Sequence, residues 1–156
     1  MITRRHAVQG LCALAFIAGA RSSLGAAGAV IVHKDPNCGC CGGWVEHLRD
    51  AGFRVDVRDV PDLNRVKTRL GVPADLAACH TAELSGYAIE GHVPAAALRR
   101  LLSEKPKAKG LAVPGMPVGS PGMEVPDGRT EEYDVVLFGM QRRTYARFKG
   151  AVELPG

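Results

Sequence analysis

The chain has 156 residues, 46% of them apolar and 23% charged, with five Cys, ten Pro and nineteen Gly; this argues against a disordered chain, a collagen or a coiled coil and indicates one soluble globular domain. Basic residues outnumber acidic ones by 20 to 16, but Arg4, Arg5 and Arg21 lie in the first 29 residues, which hold no Asp or Glu, so the rest carries 17 against 16. That balance and an aromatic content of 5% argue against nucleic acid as a partner, which needs clustered Lys and Arg or a base-stacking platform.

Residues 1–29 read as a signal peptide: a basic start through Arg4 and Arg5, an apolar stretch from Ala7 to Ala20, and the small-x-small site Ala27, Gly28, Ala29. The apolar stretch is short for a membrane span, so no stable anchor is expected. Export to the periplasm follows. Thr3-Arg4-Arg5 matches the arginine pair of a twin-arginine signal, whereas Ala7-Val8 departs from the Phe-Leu that usually follows it. Leu11 stands where a lipoprotein cleavage site needs a small residue, so Cys12 is expected to be lost with the leader.

The mature domain, residues 30–150, alternates strand and helix patterns. Val30 to His33 is a β-branched run that ends in the turn Asp35-Pro36-Asn37. Trp44 to Asp50 has helical spacing and is closed by Gly52; Phe53 to Val60 alternates apolar and charged residues as a strand does. Pro61-Asp62 opens a helix with Leu63, Val66 and Leu70 on one face, stopped at Gly71-Val72-Pro73. Tyr87 to Val93 reads as a third strand and Pro94 to Glu104 as a helix with Leu98, Leu101 and Leu102 inward. Gly110 to Gly128 holds Pro114, Pro117, Pro121 and Pro126 with Gly115, Gly119, Gly122 and Gly128, too many breakers for regular structure; Tyr133 to Phe138 is a strand, and the tail from Gln141 can form one more. The order implies βαβ crossovers and an α/β domain, a central mixed sheet flanked by helices with one long Gly/Pro/Met-rich loop.

The chemistry lies in Cys38-Gly39-Cys40-Cys41-Gly42-Gly43-Trp44. Cys38 and Cys41 have C-x-x-C spacing between a strand and a helix, where thioredoxin-like proteins keep a redox pair, and a helix N-terminus favours thiolate over thiol. Adjacent Cys40 and Cys41 are poorly spaced for a disulfide, because their Cα atoms stand about 3.8 Å apart against a usual range of about 4.4–6.8 Å. By analogy with thioredoxin-like folds, Cys79-His80-Thr81 stands where a loop faces the C-x-x-C pair, so Cys79 is expected to close over the other three sulfurs. Four thiolates form a soft site suited to Cu(I), Zn(II) or an iron–sulfur cluster, and bridging sulfurs in a polynuclear Cu(I) cluster tolerate the adjacency better than a tetrahedron around one ion. Two structural disulfides are the alternative for an even cysteine count outside the cytosol.

Met116 and Met123 sit in a repeated Pro-Gly-Met unit and offer thioethers, soft donors that resist an oxidising compartment; Met140 reads as packing. His80, beside Cys79, is the best-placed imidazole, as ligand or as hydrogen-bond partner to the sulfurs. His92 lies at the end of the third strand and can border the same cleft. His33 and His47 read as surface or supporting residues.

The segments Cys38 to Trp44, Cys79-His80-Thr81-Ala82, Gly86 to Pro94, and Gly110 to Pro117 with Gly122-Met123-Glu124 closely resemble the periplasmic CopG-type copper-resistance proteins. The resemblance runs from about Val30 to Phe138. It implies a thioredoxin-like fold in which Cys38, Cys40, Cys41 and Cys79 bridge a small Cu(I)–thiolate cluster, a role in copper tolerance, and redox chemistry between Cu(I) and Cu(II), which would make the protein a copper oxidoreductase. Expected partners are copper ions, other periplasmic copper-handling proteins or a redox partner. A thiol–disulfide oxidoreductase using Cys38 as nucleophile and Cys41 as resolving thiol is the competing function. No phosphate loop, dinucleotide fingerprint or Ser/His/Asp arrangement is present in the sequence.

Overall fold

The computed structural model describes residues 28–156, so the expected signal peptide, except for Gly28 and Ala29, lies outside the described residues, as does Cys12. The elements run β1 (Val30–Lys34), α1 (Gly39–Asp50), β2 (Val55–Asp59), α2 (Leu63–Leu70), a 3-10 turn (Ala74–Leu76), β3 (His80–Leu84), β4 (Tyr87–Glu90), α3 (Ala95–Glu104), β5 (Gly110–Ala112), β6 (Glu132–Phe138), β7 (Arg143–Lys149) and β8 (Val152–Glu153). All eight strands join one open sheet in the order β2-β1-β3-β4-β5-β6-β7-β8. The β1–β2 and β4–β5 pairs are parallel, each joined by a helical crossover, and the other pairs are antiparallel. This is the mixed α/β sheet that the alternating patterns predict.

Local chemistry explains the helix ends. Gly52 at φ +84° lets α1 finish with Gly52 N–H on the Arg49 carbonyl and Phe53 N–H on that of Leu48, the paired closure in which a left-handed glycine satisfies the last carbonyls. Phe53 is therefore part of the helix stop, and β2 begins at Val55 rather than Phe53. Asp62 caps α2 by accepting from Arg65 N–H at 3.1 Å, and Gly71 closes it as Gly52 closes α1.

Five further expectations are corrected. Helix α1 starts at Gly39, five residues before Trp44: its glycine-rich first turn is a poor intrinsic helix but lies against the backbone of Gly122. Strand β3 falls in a segment with no strand pattern, because it is central and covered on both faces, so His80, Thr81, Ala82 and Leu84 are all buried and no alternation survives. It turns into β4 through Ser85 and Gly86, both at positive φ, and β4 stops at Glu90 rather than Val93 because Gly91 turns away at φ +70°. The Gly/Pro-rich segment begins with a short strand, β5, parallel to β4. The tail adds two strands, β7 and β8.

The main core is built from Val30, Val32, Trp44, Leu48, Ile89, Leu98, Leu101, Leu111, Val135 and Phe148 with their neighbours. On α3, Leu98 and Leu101 are buried and Leu102 packs at the margin. On α2 the expected apolar face is only half-buried, and the buried residue is Lys67. Among the described residues no helix is long and apolar enough to cross a membrane.

Candidate metal centre

Two strand ends bring the sulfurs together. Strands β1 and β3 are antiparallel with Lys34 opposite His80, so the chain leaving β1 and the chain arriving at β3 meet at one end of the sheet. After β1, Asp35 organises the turn by accepting from Asn37 N–H at 2.7 Å through its carboxylate and from Cys38 N–H at 3.0 Å through its carbonyl. Cys38 is then the N-cap of α1, with Cys40 and Cys41 in its first turn. Cys79 stands immediately before β3 and faces them.

Cys38 and Cys41 form a disulfide with Cα atoms 5.6 Å apart, and Cys40 and Cys79 are free. Cys40 Sγ lies 3.6 Å from Cys38 Sγ and 3.8 Å from Cys79 Sγ. All four sulfurs fall within 4.8 Å of one another. The expected convergence of Cys38, Cys40, Cys41 and Cys79 is thus what the structure contains, with one disulfide rather than two.

Two imidazoles complete the cluster, since Cys79, His80 and His92 also offer ligand atoms within 4.8 Å of one another. His92 Nδ1 is 2.8 Å from the Pro121 carbonyl, and its Nε2 is 3.1 Å from Cys79 Sγ. A carbonyl can only accept, so Nδ1 carries the proton and the Nε2 lone pair points at the sulfur. His80 directs Nδ1 to Cys79 Sγ at 3.3 Å, lies 4.3 Å from the Trp44 ring, and keeps its buried Nε2 without a partner. Trp44 is anchored by Nε1–H donation to the Val93 carbonyl at 2.9 Å.

Electrostatics favour a cation here. Burial, together with the neighbouring Cys40, pushes the Cys79 thiol up to about 12, so the lowering expected of thiols at a helix N-terminus does not extend to Cys79. Burial also holds His80 well below its ordinary value and lowers His92. Both rings are neutral near pH 7, the form that ligates metal. A positive ion among the sulfurs would remove the penalty on ionising Cys79.

The long loop closes one side. Gly122, at φ +85°, lies against α1 so closely that a Cβ there would come within 2.9 Å of the Cys40 carbonyl oxygen. Met123 therefore sits next to a residue packed on the cysteine turn, while Met116 is 53% exposed on the outer arm of the loop. Met140 is 94% exposed, not packed as its place after a strand suggested. His33 is buried and paired with Glu83 at 2.9 Å, and His47 accepts from Ala95 N–H at 3.1 Å, so both are supports. No sequence pattern marks the Pro121 carbonyl, nor the buried Lys67–Glu90 pair beside Thr81 behind Cys79. A surface cavity of about 610 Å³ lined by Lys107, Lys109, Phe138 and Met140 contains none of the cysteines.

The family described as "Protein of unknown function, DUF411" matches residues 76–123, which hold Cys79, both site histidines and both loop methionines. Two solved structures, titled "Copper resistance protein copG- Form 2" and "Copper resistance protein copG- Form 1", are each 45% identical to this chain with a TM-score of 0.71. The alignments cover 81% of this chain and 98% of the first structure, and 83% and 99% for the second. Among curated proteins there is no match.

Proposed function

Because this chain belongs to the CopG copper-resistance protein family, we propose that it is a periplasmic copper-binding protein that holds Cu(I) in a multinuclear cysteine–thiolate site. One observation carries this: four sulfurs within 4.8 Å of one another, with two of them on adjacent residues. Thiolates are soft donors matched to Cu(I), and sulfurs that bridge several ions relieve the crowding that adjacent cysteines impose on a single tetrahedral ion. His92, with its lone pair fixed on the site by Pro121, and His80 supply imidazoles at the margin. Met116 and Met123 are assigned to delivery. The signal-peptide pattern of residues 1–29 supports the periplasmic location, and the β2-β1-β3-β4 order around α1, α2 and α3 supports a thioredoxin-like core.

The Cys38–Cys41 disulfide places a redox step before loading. Two electrons and two protons, from an exogenous dithiol that is itself oxidised to a disulfide, convert the bond to two thiols. Deprotonation then completes the four-thiolate set. Run the other way, oxidation of the pair releases two electrons, enough to reduce two Cu(II) to Cu(I). The test is copper and zinc content with free-thiol count, on protein reduced anaerobically, offered Cu(I) and desalted against a competing chelator. Several coppers per chain with four protected thiols is the expected result. No retained copper refutes the proposal.

The disulfide itself favours a second reading, a thiol–disulfide oxidoreductase with Cys38 as nucleophile and Cys41 as resolving thiol. Insulin reduction that is rapid, copper-independent and lost in Cys38→Ser would establish that alternative.

A further inference from the structure

We propose that the buried cluster of Lys67, Thr81 and Glu90 is a clamp that positions Cys79 and His80 and thereby sets the affinity of the metal site. This rests on the copper-binding reading above. Glu90, on β4, and Thr81, on β3, are fully buried, and Lys67, from α2, is 7% exposed. Among the ion pairs of the described residues, theirs alone has both side chains almost out of solvent. Removing two charges from water costs several kcal/mol per ion, and an apolar pair of the same volume commonly packs as well or better. Stability alone is therefore a weak reason for this pair.

The hydrogen bonds show what it holds. One carboxylate oxygen of Glu90 accepts from Ala78 N–H at 2.6 Å and from the Lys67 ammonium. The other accepts from the Thr81 hydroxyl at 2.6 Å, and that hydroxyl accepts from Lys67 at 2.9 Å. Glu90 thus grips the chain on both sides of a two-residue segment, at Ala78 before it and Thr81 after it. That segment is Cys79-His80. Cys79 lies outside the β3 ladder, which begins at His80, so the Ala78 contact secures the backbone on the side the sheet does not hold. The register fixes the grip, because Thr81 and Glu90 are cross-strand partners. Lys67 closes the ring from the helix above, donating both to Glu90 and to the Thr81 hydroxyl, so the carboxylate oxygens stay turned to both contacts. These three are positioning residues; none is assigned to the metal.

The test compares Thr81→Val, Thr81→Ser and the paired variant Lys67→Met with Glu90→Gln, which removes both charges together and so strands neither. Cu(I) affinity is measured by competition with bicinchoninate, the thiolate-to-copper charge-transfer band is recorded, and alkylation of Cys79 in reduced, copper-free protein is followed by peptide mapping. Outer partners of metal ligands typically contribute about 10–100-fold in affinity. A loss of that size is expected in Thr81→Val and in the paired variant, with a shifted band and faster Cys79 alkylation, and Thr81→Ser restores all three. Wild-type affinity, band and alkylation in both disrupted variants would overturn the clamp, whatever their melting temperatures. If the wild type binds no Cu(I), the copper reading fails separately, and alkylation decides alone: faster in Thr81→Val upholds the clamp, unchanged refutes it.

Discussion

Gly122→Ala tests how the long loop is held against the cysteine turn. Gly122 sits at φ +85°, and a methyl group there would also meet Gly43 C at 2.9 Å, close to Trp44 N. Left-handed backbone costs a non-glycine residue about 1–2 kcal/mol. Forcing an extra methyl into packed structure adds about 1–3 kcal/mol, here in full, because the atoms struck are helix backbone with no rotamer to change. Gly115→Ala is the control: Gly115 has φ +74° but nothing within 4 Å of the point where its methyl group would stand, so it bears only the first cost. Loss of glycine freedom in the unfolded chain is common to both and cancels. At about 4 °C per kcal/mol for a domain of this size, Gly115→Ala lowers the melting temperature by about 4–8 °C and Gly122→Ala by about 8–20 °C. Displacing the loop also moves the Pro121 carbonyl, so His92 loses the partner that fixes its tautomer, which ¹⁵N NMR of the ring nitrogens reports. Equal melting temperatures for the two variants, or an unchanged His92 tautomer in Gly122→Ala, would refute the close packing of loop on helix.

Cys79→Ser replaces one soft donor of four and is expected to lower bound copper per chain while leaving the circular dichroism spectrum unchanged; full stoichiometry would count against a site shared by all four sulfurs. Trp44→Phe removes the donor to the Val93 carbonyl, and leaving that acceptor unpaired in the core is expected to cost about 1–3 kcal/mol, read as a lower urea midpoint. His47, His80 and His92 are all lowered from 6.5, mainly by burial, so between 6.5 and their folded values the unfolded chain binds more protons. The stability of copper-free protein is therefore full above pH 6.5 and falls as pH drops below it; a flat urea midpoint from pH 7.5 down to the onset of carboxylate titration would contradict this. His47→Gln is expected to flatten part of that slope.

Much of the fold is written in local patterns. Alternation marks β2, because an edge strand shows one face to water; Gly52 and Gly71 mark helix ends, because only glycine enters the left-handed closure cheaply. The Cys38 to Cys41 spacing itself determines that three sulfurs crowd a helix N-terminus, and the separated motifs carry the family resemblance. Strand β3 left no such trace. Its side chains are covered on both faces, and two of them are polar: Thr81, met by Lys67 and Glu90, and His80, whose Nδ1 meets Cys79. The same holds for Lys67, which reads as a solvated helix residue until β3 and β4 are laid beneath it, and for Pro121, whose useful atom is a carbonyl common to every residue. Identity and spacing determined which donors this protein has. The tertiary structure decided which of them meet, because pairing β1 with β3 and seating Gly122 on α1 join segments that no local periodicity connects.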